Sequence, residues 1–133
     1  EWSRLAGTAM PCPSPHHPLR SVAAMRFCCA LEHDQAGLLR FSDAAFDAYF
    51  GEQRNLDDPA ELIAVADACG FDGGALAALS TSQPIKDRLR ANTDEAIARG
   101  AYGSPTIFVD GAQMYFGNDQ LPLVRQRLLG VFG

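Results

Sequence analysis

Apolar residues recur at helical spacing over most of this chain. Between residues 18 and 31, apolar side chains stand at positions 19, 22, 23, 27, 30 and 31, which indicates one buried helix face. Arg26 lies on the same stripe. Continued along the sequence, the pattern predicts the tail of a helix over residues 1–9 and further helices over residues 18–31, 38–50, 59–69, 72–79, 82–99 and 118–129.

Polar and conformationally special residues mark the ends of these helices. The segment Asp58–Glu61 combines a capping residue, a first-turn proline and an acidic residue, which together are a strong helix start. Gly37 is expected to interrupt the chain between two helices, and Gly70 to end one. Pro122 fits only in the first turn of the last helix. The prolines between residues 11 and 18 predict an extended connector.

One segment, residues 100–119, breaks the helical pattern. Pro105 forces Ser104 into an extended conformation and raises the odds of a cis peptide bond. Asp110 and Gly111 separate two short apolar runs, which predicts a hairpin with a two-residue turn. Because two short strands do not form a stable sheet alone, we expect a further strand from outside this chain.

The segments Gly103–Val109 and Gly117–Leu121 are similar to the 2-hydroxychromene-2-carboxylate isomerases and the kappa-class glutathione transferases. Residues 17–26 and 90–96 resemble the segments of those families that open the helical domain and precede the cis-proline. The resemblance implies an α/β, thioredoxin-like fold with a large helical insertion, mostly helical in this chain. The implied divisions are a helix tail and proline-rich connector over residues 1–17, a helical insertion over 18–81, and the second half of the thioredoxin-like domain over 82–133.

The same resemblance implies that the first strand, helix and strand of the fold precede this chain. Glu1 points the same way, because an initiator methionine is normally removed only before a small residue. We therefore expect this chain to be the later part of a longer polypeptide. In the family, the preceding segment carries the serine placed near the glutathione sulfur, so no residue here is assigned as catalytic.

Composition narrows the classes of function. The 133 residues fit one domain, and an apolar content of 47% is enough for a core. A net charge of −5 argues against nucleic-acid binding, and no apolar run has membrane-spanning length. None of Cys12, Cys28, Cys29 and Cys69 forms a Cys-x-x-Cys motif. A reducing, cytoplasmic setting fits this cysteine usage best.

The resemblance implies that Ser104, Pro105, Asn118 and Asp119 bind glutathione. In thioredoxin-like proteins, the residue before the cis-proline exposes its backbone, and an extended peptide pairs with it as an added strand. The resemblance implies that the cysteinyl unit of glutathione would pair with Ser104 in this way. A helix start at Asn118 suits the γ-glutamyl carboxylate, and Asp119 suits the γ-glutamyl ammonium group. On the local sequence alone, a plain turn proline and simple helix capping remain alternatives.

Arg26 and Arg20 are candidates for binding the carboxylate of the substrate, because arginine holds carboxylates through two parallel hydrogen bonds. Arg26 matches the family pattern, whereas Arg20 stands where the family is expected to have asparagine. A structural ion pair with an acidic residue of a neighbouring helix is the alternative for Arg26.

Cys12, His16 and His17 combine a thiol with two imidazoles at short spacing, which is a ligand set that zinc accepts. The sequence shows no evident fourth ligand, and the two histidines fit an exposed loop pair. No metal site is therefore predicted.

The resemblance implies a glutathione-dependent cis-trans isomerase of aromatic catabolism. Its substrate would be a small aromatic-derived carboxylate, and a homodimer fits the family. A kappa-class glutathione transferase is a close alternative, while a thiol-disulfide oxidoreductase would need a redox cysteine pair in the segment that precedes this chain. A non-catalytic helical module that binds a partner is the alternative if the chain is complete.

Overall fold

A computed structural model describes residues 2–8, 13–111 and 113–130 of the chain. The described residues form seven helices and one hairpin. The elements are α1 (Trp2–Leu5), α2 (Val22–Ala30), α3 (Gln35–Phe46) with a π-helical extension (Asp47–Gly51), α4 (Pro59–Ala68), α5 (Gly73–Ser80), α6 (Gln83–Ala98), β1 (Thr106–Val109), β2 (Gln113–Phe116), a 3-10 turn (Asn118–Gln120) and α7 (Leu121–Leu128).

The chain divides into two compact units, residues 1–91 and residues 92–133. The division falls within α6. The domain boundaries expected from the sequence, after residues 17 and 81, are a different division and stay a prediction.

The first unit has an apolar core built by α2 to α5. Phe41, Leu62 and Val65 are almost completely buried, and the rings of Phe27 and Phe41 stack with centroids 5.6 Å apart. Helix α5 packs against both α2 and α4. The apolar stripes of the sequence are the faces that meet in this core.

Two helix starts follow from local capping, as predicted. The Asp58 carboxylate accepts a hydrogen bond from the Ala60 N–H at 2.9 Å at the start of α4. The Asp72 carboxylate accepts one from the Ala75 N–H at 2.8 Å at the start of α5. Each aspartate satisfies a backbone donor that the helix itself leaves unpaired.

The expected interruption at Gly37 is wrong. Helix α3 begins at Gln35, and Gly37 lies in its first turn, where its N–H donates to the Asp34 carboxylate at 2.9 Å. A Cβ at position 37 would overlap that carboxylate and lie 2.9 Å from the Phe71 ring. The glycine therefore permits close packing and does not end a helix.

The second unit contains the hairpin. Strands β1 and β2 are antiparallel, with Thr106 opposite Phe116 and Val109 opposite Gln113. This register leaves three residues, 110–112, between the strands, so the expected two-residue turn is wrong. Because side chains alternate between the faces of a strand, Thr106 and Phe116 share one face of the hairpin and Val109 lies on the other.

Two arginines hold the longer loop of the hairpin. Arg127 of α7 forms an ion pair with Asp110 at 3.0 Å. Arg99, directly after α6, donates to the Gly111 carbonyl at 3.3 Å. These contacts come from outside the turn, which is why the turn residues alone did not determine its length.

Candidate functional site

Ser104 lies in an exposed loop that leads into β1, and its peptide bond to Pro105 is cis. Among the described residues, Ser104 makes no hydrogen bond through its backbone or its side chain. The neighbouring groups are paired: the Thr106 hydroxyl donates to the Gly103 carbonyl at 2.5 Å. The loop is therefore held in place while the peptide groups of Ser104 stay available to a ligand.

A backbone hydrogen bond joins this loop to the segment after β2. The Gly117 N–H donates to the Pro105 carbonyl at 3.0 Å. Gly117 itself has φ 101° and ψ 153°, a conformation that is essentially confined to glycine. Ser104 directly precedes Pro105 and Asn118 directly follows Gly117, so the two residues flank this one backbone hydrogen bond.

The α-helix start that the sequence predicts at Asn118 and Asp119 is wrong. These two residues belong to a 3-10 turn that precedes α7. Neither side chain caps a backbone N–H of the turn or of α7. The Asp119 carboxylate instead accepts from the side-chain amide of Gln120 at 3.0 Å. In the described part of the chain, the N–H groups of Asn118 and Asp119 find no acceptor, as is usual for the first donors of a turn or helix. Both donors remain available to an anion.

Arg26 lies on α2 in the first unit and is half-buried. Its Nε atom is buried without a hydrogen-bond partner, and no ion pair of Arg26 occurs among the described residues. The structural ion pair, which the sequence analysis kept as the alternative role for Arg26, is therefore not found among the described residues. A buried guanidinium nitrogen without a partner is costly, and an anionic ligand would remove that cost.

Arg20 has a different environment. Its side chain is 85% exposed and lies 3.7 Å from the Asp57 carboxylate, which also accepts a hydrogen bond from the Arg20 N–H at 3.2 Å. In the same connector, His17 Nδ1 lies 3.4 Å from the hydroxyl of Tyr49. Both contacts attach the connector to the first unit, so Arg20 has a structural partner that Arg26 lacks.

Two further features are the cluster of Cys12, His16 and His17 and a depression in the surface. Cys12 falls outside the described residues, and within the described ranges no group of three metal-binding side chains is found. His16 and His17 are exposed.

An open depression of about 460 Å³ on the second unit is lined by Gln113, Met114, Tyr115, Leu123 and Arg127. No residue predicted from the sequence to bind a ligand lines it.

The sequence interpretation missed one contact beside the Ser104 loop. The rings of Tyr102 and Phe116 lie with their centroids 4.7 Å apart. The available signal was positional, because one aromatic residue stands two positions before Ser104 and the other directly before Gly117.

Comparison with known proteins identifies the family. Residues 1–129 match the sequence profile of the DSBA-like thioredoxin domain. The chain belongs to this family. The expected thioredoxin-like α/β fold, mostly helical here, is confirmed. In the described residues of this DSBA-like domain, no helix is long and apolar enough to cross a membrane.

Individual relatives agree with the resemblance read from the sequence. The chain is 27% identical over 120 residues to a 2-hydroxychromene-2-carboxylate isomerase of Pseudomonas putida, covering 90% of this chain and 57% of the relative. It is 41% identical over 66 residues to a protein named glutathione s-transferase kappa 2 of Caenorhabditis elegans, covering 46% of this chain and 29% of the relative.

A solved structure of a 2-hydroxychromene-2-carboxylate isomerase superposes with a TM-score of 0.77 at 25% identity, covering 98% of this chain and 62% of that one. The DSBA-like domain spans about half the length of the isomerase relatives that it matches.

Proposed function

We propose that the protein is a glutathione-dependent cis-trans isomerase acting on an aromatic-derived carboxylate of the 2-hydroxychromene-2-carboxylate type. The observation that carries the proposal is the unpaired backbone of Ser104, fixed beside the unpaired N–H groups of Asn118 and Asp119. The relatives named as isomerases support the reaction class. The relative named as a kappa glutathione transferase supports glutathione as the thiol that the protein uses.

The Ser104 loop fits the peptide part of glutathione. An extended peptide adds to an exposed backbone edge through main-chain hydrogen bonds, and Ser104 offers one donor and one acceptor for this purpose. Since Gly103 and Pro105 already use their carbonyls within the protein, the ligand would pair with Ser104 alone.

The 3-10 turn fits the γ-glutamyl end of glutathione. Its carboxylate would accept from the N–H groups of Asn118 and Asp119, which carry partial positive charge. The Asp119 carboxylate would pair with the γ-glutamyl ammonium group in a charge-assisted hydrogen bond. One turn thus provides donors for the negative group and an acceptor for the positive group.

The guanidinium of Arg26 is suited to binding a carboxylate, and we assign to it the carboxylate of the substrate. Bound glutathione would supply a thiolate for reversible addition to the substrate, which would permit rotation about a double bond. The contribution of this chain is to hold the peptide at Ser104 and the γ-glutamyl group at Asp119, and to neutralise a carboxylate at Arg26. Arg20 is a weaker candidate, because Asp57 already pairs with it.

The proposal is tested by titrating glutathione into the purified protein in a calorimeter. We expect binding that Asp119→Asn weakens about tenfold, since a hydrogen bond between charged groups contributes about 1.5 kcal/mol or more. Ser104→Ala should bind normally, because the backbone makes the contact. Asp43→Asn, which removes an exposed carboxylate of α3, controls for net charge. Absence of binding at millimolar glutathione would overturn the proposal.

Two activity assays then distinguish an isomerase from the related class of glutathione transferases. Isomerisation of 2-hydroxychromene-2-carboxylate, followed by absorbance, should require added glutathione. A kappa-class transferase is the second candidate, supported by the relative of that name, and would instead conjugate glutathione to 1-chloro-2,4-dinitrobenzene. A reducing, cytoplasmic setting forms part of this proposal, because free thiols such as Cys28, Cys29 and Cys69 persist in such a compartment.

A further inference from the structure

The rings of Tyr102 and Phe116 form a small aromatic surface on the second unit. They are tilted by 44° to each other, and both are exposed, Tyr102 by 70% and Phe116 by 40%. Within the described ranges, the Tyr102 hydroxyl makes no hydrogen bond. Within the described part of this chain, the pair is therefore not buried in a core, and the hydroxyl does not fix the position of Tyr102.

Close packing fixes this aromatic surface beside Ser104. A Cβ at Gly103 would lie 2.5 Å from a ring carbon of Phe116, so the glycine allows the loop to pass directly over that ring. Phe116 also stands opposite Thr106 in the hairpin, and the Thr106 hydroxyl holds the Gly103 carbonyl. The loop from Tyr102 to Thr106 is thus tied to the strand that carries Phe116.

The two rings also flank the backbone groups that we assign to glutathione. Tyr102 lies two residues before Ser104, and Phe116 directly precedes Gly117, whose N–H binds the Pro105 carbonyl at 3.0 Å. A ligand paired with Ser104 would have an exposed aromatic surface next to it. Single exposed apolar side chains need no explanation, but two contacting rings beside an unpaired peptide edge indicate a binding surface.

We propose that Tyr102 and Phe116 bind the aromatic part of the ligand, and that Tyr102 thereby determines specificity for aromatic over aliphatic groups on the glutathione sulfur. This inference rests on the proposed function. Aromatic rings attract one another in tilted or offset arrangements, with about 0.5–1.5 kcal/mol per pair beyond the area they bury. A planar ring gains this interaction at Tyr102, and a methyl group does not.

The test compares two ligands that share the glutathione part. S-methylglutathione and S-benzylglutathione are titrated into the purified protein, and the ratio of their dissociation constants is measured. We expect S-benzylglutathione to bind about tenfold more tightly, since stacking and buried area each contribute. Tyr102→Ala should lower this ratio about threefold or more, leaving the part that Phe116 contributes, while S-methylglutathione binds as before. Tyr102→Phe should keep the ratio, because it keeps the ring.

Leu128→Ala is the matched control, since Leu128 is an equally exposed apolar side chain of the same unit, at 70%. It should leave both affinities unchanged. Equal affinities of the two ligands, or a preference that is undiminished in Tyr102→Ala, would overturn this inference and leave glutathione binding intact. Failure of the unaltered protein to bind S-methylglutathione would overturn the proposed function, and this inference with it.

Discussion

The Pro105 carbonyl accepts a hydrogen bond from the N–H of Gly117 at 3.0 Å. This contact joins the loop before β1 to the turn after β2, and it extends the hairpin by one backbone bond beyond the pair Thr106 and Phe116. On one side of it lies the unpaired backbone of Ser104, and on the other lie the N–H groups of Asn118 and Asp119. The whole candidate glutathione site depends on this link.

Gly117→Ala should therefore damage the candidate site and the fold together. Gly117 has φ 101° and ψ 153°, and a Cβ there would overlap the Asp119 carboxylate. Such a conformation costs a residue with a side chain about 1–3 kcal/mol. We expect the free energy of unfolding in urea to fall by that amount, and glutathione affinity to fall more than tenfold.

Gly130→Ala is the control for Gly117→Ala. Gly130 has φ 73°, and no atom of the residues that the structure describes lies within 4 Å of a Cβ built there. This substitution should cost about 1 kcal/mol, from the left-handed backbone alone, and leave glutathione affinity unchanged. If both variants bound glutathione normally, the turn that follows Gly117 would not be part of the site.

Two glycines in the first turns of helices should respond to alanine with opposite signs. Alanine is favoured over glycine in helices by about 1 kcal/mol, so Gly74→Ala in α5 should stabilise the protein, because its Cβ meets nothing closer than 3.4 Å. In Gly37→Ala the new Cβ would overlap the Asp34 carboxylate that caps α3. We expect a loss of about 1–3 kcal/mol from overpacking, measured by urea unfolding. Equal stabilisation by both substitutions would contradict this account of α3.

The same comparison shows what the sequence predicts and what it does not. The starts of α4 and α5 were predictable, because Asp58 and Asp72 bond to backbone groups two and three residues away. Gly37 was misread, because the Phe71 ring that limits its space is distant in sequence. The hairpin loop was misread for the same reason, since Arg99 and Arg127 hold it from other elements.

The candidate site, too, was predictable from the sequence only in part. The residue types at Ser104 and Asp119 were found through resemblance to known families, but the local sequence left plain turn and capping roles open. Among the described residues, the Ser104 backbone and the Asp119 N–H have no hydrogen-bond partner, and this property of the folded chain was visible only in the structure. Tyr102 was missed because helical or strand spacing does not report a ring contact between a loop and a strand.

Cys28 should give the protein a distinct loss of stability in alkali. Burial raises the pKa of the Cys28 thiol above its usual value, and a hydrogen bond with Ser42 opposes this only in part. In the unfolded chain the thiol ionises near its ordinary pKa of about 8.5, while the folded chain keeps it protonated. Stability is therefore complete below that pH and is lost as the pH rises through the raised pKa.

The measurement is urea unfolding between pH 7 and 10 for the unaltered protein and for Cys28→Ala. We expect the difference in unfolding free energy between them to shrink above about pH 8.5, by at most about 1.4 kcal/mol per pH unit. Parallel profiles across this range would show that the folded and unfolded thiols ionise alike.

Arg26→Met should weaken ligand binding without weakening the fold. The Arg26 Nε atom is buried and has no partner among the described residues, and leaving a donor unsatisfied costs about 1–3 kcal/mol. Methionine keeps the apolar length of the side chain and removes that cost, so we expect the free energy of unfolding to rise by about 1 kcal/mol. The affinity for the chromene carboxylate should fall at least tenfold, because a charged hydrogen bond to the substrate is lost.

Arg20→Met is the control, because Arg20 is exposed and its ion pair with Asp57 at 3.7 Å belongs to a class that contributes less than about 1 kcal/mol. Since Arg20 is the weaker candidate for the substrate carboxylate, its replacement should change both quantities less than Arg26→Met does. A loss of stability in Arg26→Met, with substrate affinity unchanged, would show that the guanidinium is structural. The opposite signs expected for stability and affinity separate a binding arginine from a structural one, since a residue that holds the fold together cannot be removed with a gain in stability.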